Sequence, residues 1–231
     1  MIASIHQPNY FPWSGYFHKI VHSHRFVFLD DVQFSRGGFT NRVKIVSNGE
    51  QRWLSVPCRP KLGTLILDVG LNDYSWIENH LQIVESSYEN SEKYFEIRPF
   101  IKNLFYKFDG LQLAQINTLI VRSICEEIGI QTSFVNSSDL AVAELSASSK
   151  LAALTSILGC EEYLSGRGGK QYNDVDNFEK LGVRLKYTNF QERPRKQLCK
   201  KFIPGMSILD LLFNLGWEGS KQYLLNCDTS Q

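Results

Sequence analysis

The chain has 231 residues, 43% of them hydrophobic and 21% charged, the balance of an ordinary soluble globular protein with room for one large domain or a domain with a modest appendage. Its formal net charge of +1 argues against a global field for nucleic acid or an anionic membrane, and leaves room only for local anion sites. No apolar run reaches the length of a membrane span, residues 2–5 are too short for a signal-peptide core, and five cysteines without CxxC spacing fit reduced thiols better than a disulfide framework or a zinc knuckle, so a cytoplasmic protein is expected.

Residues 2–5 read as a buried strand that starts almost at the first residue. His6-Gln7-Pro8-Asn9-Tyr10-Phe11-Pro12-Trp13 follows as a polar and aromatic loop, stiffened by two prolines that also hold the residues before them extended. A short helix is predicted over 17–23. A second strand, Arg25-Phe26-Val27-Phe28-Leu29, ends in Asp30-Asp31. Strand, helix and strand within about thirty residues imply a parallel pair with a right-handed crossover. Val43 to Val46 and Arg52 to Val56 flank Asn48-Gly49, a strong hairpin signal. Residues 64–69 read as another short strand.

From Tyr74 to Gly129 the apolar spacing is helical, with Pro99 marking a boundary near the start of one helix. A strand over 132–135 and a helix over 146–158, closed by Gly159, come next. Glu162-Tyr163-Leu164-Ser165-Gly166-Arg167-Gly168-Gly169-Lys170 repeats the opening logic: a brief strand, a glycine-rich polar turn, then a helix through Phe178 to Leu181. Residues 183–187 form a last strand, and Ser207 caps a helix that Gly216 stops. The expected fold is α/β, a mainly parallel sheet flanked by helices, with a β-hairpin insertion. It forms one domain over 1–231, in which 73–130 is a helical insertion or subdomain.

Three constellations could carry chemistry. The βαβ reading places Asp30 and Asp31 at the same sheet edge as His6 and Asn9, where a carboxylate would raise the imidazole pKa and fix its tautomer for acid–base work. In Ser165-Gly166-Arg167-Gly168-Gly169-Lys170, glycines open the backbone to an anion and two cations add counter-charge, although the spacing is neither a Walker loop nor GxGxxG. The third set is Arg36, Arg42, Lys44, Arg59 and Lys61 around the hairpin. Within it Asn41-Arg42 stands out, since a guanidinium binds phosphate bidentately. His18 and His22 lie one helical turn apart but lack the other ligands of a metal site, so no metal and no cofactor is expected.

The blocks His6-Gln7-Pro8-Asn9-Tyr10, Pro12-Trp13, Gly15-Tyr16-Phe17-His18-Lys19-Ile20, Phe28-Leu29-Asp30-Asp31-Val32-Gln33, Asn41-Arg42, Trp53-Leu54-Ser55-Val56-Pro57, Tyr163-Leu164-Ser165-Gly166 and Ser207-Ile208-Leu209-Asp210-Leu211-Leu212-Phe213-Asn214 together resemble the WbqC-like protein family. Arg167 stands where members of this type commonly carry a proline. The resemblance implies work in bacterial surface-polysaccharide (O-antigen) biosynthesis on a nucleotide-activated sugar, as a transferase of acyl or aminoacyl groups to an amino sugar. Under it His6 is the base, assisted by Asp30 or Asp31. Asn9 and Tyr10 orient the sugar, Trp13 stacks on it or on a base, Arg42 with Arg167 holds the diphosphate, and Gln7, Asn41, Ser165, Gly166 and Lys170 complete the substrate-binding set. A fainter likeness is to HxGH-type nucleotidyltransferases, in which Trp13 and Tyr16 replace both histidines. A non-catalytic module that binds a nucleotide sugar or a partner enzyme is the third alternative.

Overall fold

The apolar run at the start of the chain becomes the central strand of a parallel sheet. The computed structural model describes residues 1–142, 145 and 147–227. β1 (Ile2–His6) leads through α1 (Ser14–Val21) to β2 (Arg25–Phe28), and an antiparallel hairpin follows, β3 (Arg42–Ser47) with β4 (Glu50–Ser55). Three helices come next, α2 (Trp76–Tyr88), α3 (Tyr94–Tyr106) and α4 (Leu113–Ile128), then β5 (Ser133–Asn136), α5 (Ala147–Ile157), β6 (Glu162–Ser165), α6 (Val175–Glu179), β7 (Arg184–Tyr187) and α7 (Ile208–Leu225). The five-stranded sheet has the order β5-β2-β1-β6-β7, and every pairing in it is parallel.

Parallel strands need both faces covered, and β2 shows how the sequence meets that need. Phe26 and Phe28 point into one core while Val27 points into another. The first core takes α1, the helices of 76–128, α7 and the hairpin. The second lies under α5 and α6 with Ile5, Leu154, Tyr163 and Phe178. The helical segment therefore shares a core with α1, and Tyr88 stacks flat on Phe213 of α7 at 4.7 Å. Asn48 and Gly49 both have positive φ, 52° and 78°, as a two-residue turn that follows the strand twist requires.

Several expectations need correction. Residues 64–69 are not a strand: Leu65 makes one isolated bridge to Gln33, and Ile66–Asp68 is a 3-10 turn. The amides of Ile66 and Leu67 turn inward to donate to the carbonyls of Val32 and Asp30, so the segment folds under the loop after β2 and no ladder extends. Pro99 lies inside α3 rather than at its boundary. Phe95, whose carbonyl loses its helical partner to the proline, is 88% exposed and open to water. The expected helix start at Ser146 lies outside the described residues. Gly216 breaks the helical path with φ 70° and ψ −173°, but the helix resumes beyond it, with Trp217 N donating to Glu96 Oε1 at 3.1 Å. Among the described residues no helix is long and apolar enough to cross a membrane.

Candidate functional site

From β1 the chain proceeds outward through β2 to β5, and from β6 it proceeds the other way to β7. The sequence order thus reverses between two adjacent strands. A crevice opens at such a switch point, outside the carboxyl ends of the strands, because the connecting segments diverge there. A cavity of about 450 Å³ occupies it, with Ile5 and His6 from the end of β1, Ser165 to Gly169 from the end of β6, and Trp13 and Lys19 from the first crossover.

His6 closes β1. Its Nδ1 lies 3.1 Å from the Gln7 carbonyl, an acceptor only, so Nδ1 carries the proton and Nε2 keeps its lone pair. The ring packs against Tyr16 at 4.7 Å and Trp13 at 5.7 Å. Burial, reinforced by the charge of Lys19, pushes the His6 pKa down to about 3, so the imidazole is neutral at pH 7. Lys19 is itself only 5% exposed, and its Nζ donates to the Ile5 carbonyl at 3.2 Å. Burial lowers its pKa to about 7, which puts the amine and ammonium forms in balance near neutrality. Among the described residues no carboxylate lines the cavity, and Lys19 and Arg167 are its cations.

The walls depend on close approaches that only glycine permits. A Cβ on Gly15 would stand 2.7 Å from Trp13 Nε1 and 3.0 Å from the Phe190 ring, so Gly15 lets both aromatics close down on the start of α1. A Cβ on Gly169 would stand 2.2 Å from Ser165 Oγ and 2.9 Å from Asn173 Nδ2, two groups that are hydrogen-bonded at 3.0 Å. Added Cβ atoms at Gly166 or Gly168 would meet nothing, which leaves that backbone open to the cavity. The opening loop is braced from behind by α7. Ser207 Oγ donates to the carbonyl of Phe11, a residue held at a left-handed φ of 41°, and Ile208 N donates to the Pro12 carbonyl.

His6, Trp13, Ser165, Gly166 and Arg167 therefore share one cavity, while the other expected site residues lie elsewhere. Asp30 and Asp31 do not join His6. Asp30 accepts from Ser137 Oγ, Ser138 N and Ser138 Oγ at 3.1, 3.0 and 2.8 Å, and Asp31 pairs with Lys150 at 2.7 Å. The reason is strand order: β2 stands between β1 and β5, so the loop after it leans to the β5 side, away from β6. The charge acting on His6 is a lysine and its pKa falls, the reverse of the expected carboxylate effect.

Tyr10 is fully buried with its hydroxyl 3.0 Å from His80 Nδ1, and Asn9 is buried beside it, so neither lines the cavity. Gln7 contributes through its backbone carbonyl, which also accepts from the Tyr16 hydroxyl. Lys170 lies over the Tyr187 ring, outside the cavity lining. Asn41 donates to the Val56 carbonyl, and Arg42 donates to the carbonyls of Gly37 and Gly38 while stacking 4.3 Å over Trp53. Both face a separate cavity. Thr188, Phe190 and Asn173 were not anticipated from sequence, nor was Lys19 as a site group. Its signal was a lysine amid Tyr16, Phe17 and Ile20 with no acid one helical turn away.

A parallel five-stranded sheet flanked by helices, with a crevice at its switch point, defines an α/β protein. Residues 7–222 match the WbqC-like protein family, and the chain belongs to that family, which is associated with polysaccharide biosynthesis. It is 31% identical over 228 residues to the uncharacterised protein Rv1507c of Mycobacterium tuberculosis, an alignment that covers 97% of this chain and 98% of that one. No solved structure matches the chain significantly.

Proposed function

We propose that the protein is a transferase of bacterial surface-polysaccharide (O-antigen) biosynthesis that acts on a nucleotide-activated sugar, moving an acyl or aminoacyl group onto an amino sugar. The observation that carries this reading is the pairing of a neutral imidazole with a near-neutral amine in a crevice that also holds Arg167 and, among the described residues, no acid. Arg167 and the open backbone of 166–169 would take the diphosphate, since a guanidinium and unhindered amides both suit phosphate oxygens. Trp13 would stack on the sugar ring or the base.

An amino sugar arrives as an ammonium ion and must lose a proton before its nitrogen attacks a carbonyl carbon. Proton transfer is most efficient from a group whose pKa lies near the working pH, and this favours Lys19 over His6 as the base. His6 Nε2 accepts a hydrogen bond from the attacking amine and aims it. The first proton leaves the ammonium through Lys19 to solvent; the new C–N bond then forms as the carbonyl carbon releases its old substituent, and the second proton passes from the nitrogen through the neutral Lys19 amine to that leaving group.

A thermal-shift screen of nucleotide sugars and acyl or aminoacyl donors tests the reading. A true ligand at about a hundred times its dissociation constant should add about 2.7 kcal/mol, and Arg167→Gln should remove most of that shift. Turnover should then fall in Lys19→Gln and His6→Gln with binding largely kept. A screen in which no nucleotide sugar stabilises the protein, or in which Arg167→Gln leaves the shift unchanged, contradicts the proposal. Binding with no turnover in the unmodified protein would instead favour a non-catalytic module.

A further inference from the structure

The arginines flanking the hairpin converge on a second cavity of about 490 Å³, formed where the start of β3 and the end of β4 meet the loops that carry Arg36 and Arg59. Arg36, Arg42 and Arg59 all line it, and among the described residues none of the three meets a carboxylate there. Three guanidinium groups in one concavity repel each other, so the arrangement calls for an anion. The groups are also aimed. Arg42 is fixed by the carbonyls of Gly37 and Gly38 and by the Trp53 ring. Arg36 spends one donor on the Pro60 carbonyl at 3.0 Å, and Asn41 is held by the Val56 carbonyl. The remaining donors of a planar fork match phosphate oxygens.

A line of rings runs from this cavity toward the first. Trp13, in the wall of the switch-point crevice, lies 5.7 Å from Phe39, and Phe39 lies 5.9 Å from Trp53, the ring under Arg42. Phe39 and Trp53 are each 41% exposed, although large aromatics are usually covered where nothing binds them. An elongated molecule could rest on these rings with one end at each cavity.

We propose that the Arg36–Arg42–Arg59 cavity is a second binding site, which anchors the phosphate group of a second reactant whose transferable end reaches the switch-point crevice across Phe39 and Trp53. The inference rests on the transferase reading above and adds to it where the donor sits. The protein would hold two phosphorylated reactants at once, one at each cationic pocket.

Calorimetric titration of the full chain with inorganic pyrophosphate at low salt, in the unmodified protein and in Arg36→Gln/Arg59→Gln and Arg167→Gln variants, separates the two. Two binding events are expected. The double variant should weaken one of them by about tenfold or more, the scale of a lost charge-assisted hydrogen bond, and leave the other intact. Shifts of the Arg36 and Arg59 Nε–H resonances on titrating the unmodified protein provide a readout that needs no variant. Unchanged binding in the double variant, with those resonances still, overturns the second site whatever Arg167→Gln does. Loss in the double variant with no effect of Arg167→Gln keeps the second site and defeats the assignment of the first.

Discussion

Replacing Lys19 with methionine is expected to raise stability at pH 7 while abolishing turnover. Holding the Lys19 pKa near 7, against 10.5 for a free lysine, means that the fold bears about 4–5 kcal/mol of desolvation at and below pH 7. Methionine conserves much of the volume and removes that cost, but leaves the Ile5 carbonyl without its donor, a loss of about 1–3 kcal/mol. The net gain should be about 2 kcal/mol at pH 7, or several degrees in Tm for a chain of this length. The sign of the pH dependence follows from proton counting. Between pH 7 and 10.5 the unfolded chain binds a proton at Lys19 that the folded chain does not, so the unmodified protein gains stability as pH rises and the variant's advantage shrinks. Denaturant melts at pH 7 and pH 10 check this. A variant less stable at pH 7, or one whose advantage grows with pH, would mean that Lys19 is charged and well paired. Stability kept low by a buried amine is what a site selected for chemistry looks like.

The opposite outcome is expected at Asp210. This carboxylate is fully buried in the first turn of α7, 2.7 Å from Arg195 Nη1 and 2.8 Å from Gln197 Nε2. Burial pushes its pKa up and the Arg195 charge opposes the rise. Asp210→Ala would leave the buried Arg195 guanidinium with Glu192, 3.5 Å away, as its remaining counter-charge, at a cost toward the lower end of about 3–5 kcal/mol. In Tm this is on the order of 10 °C. Replacing both partners, Arg195→Met with Asp210→Leu, should recover part of the loss, because the guanidinium is no longer orphaned while Glu192 gives up its cation. The consequence reaches the site. Arg195 also meets Glu192, which accepts from Ser14 at the start of α1 and from Gly205 N, so this network pins the irregular segment that carries Phe190 over the cavity. Ligand-induced shifts should weaken along with stability in the single variant, and should stay weakened in the double one, which also breaks the Arg195–Glu192 pair.

How far the sequence was legible depended on what each inference needed. A strand that starts at Ile2, a proline-stiffened loop and a glycine turn after Ser165 are local patterns. Both ends fall at carboxyl termini of strands that pair in the sheet, so the convergence of His6, Trp13 and Arg167 was within reach. Asp30 and Asp31 required the strand order, which periodicity does not carry, and with β2 on the far side of β1 they serve the turn after β5. Arg42 looked free for a ligand because its partners, the carbonyls of Gly37 and Gly38, are backbone atoms that no residue letter reveals. Lys19 escaped notice for the same kind of reason. The letters of a short helix do not say how many of its faces are covered, and in α1 the residues from Ser14 to Ile20 are all buried, with Tyr16 against Phe26 of the sheet, His18 against Phe190, and α7 packed on the helix.

The account turns on Lys19 carrying a reactive, half-neutral amine inside the switch-point crevice. Competitive labelling of the protein's amines with a small acylating reagent, read peptide by peptide across pH 5 to 10, measures that directly. Lys19 should titrate with a midpoint near pH 7 while surface lysines titrate near their ordinary values, and a bound nucleotide sugar should protect it selectively. A Lys19 that titrates with the surface lysines, or one that the ligand leaves unprotected, would contradict the account.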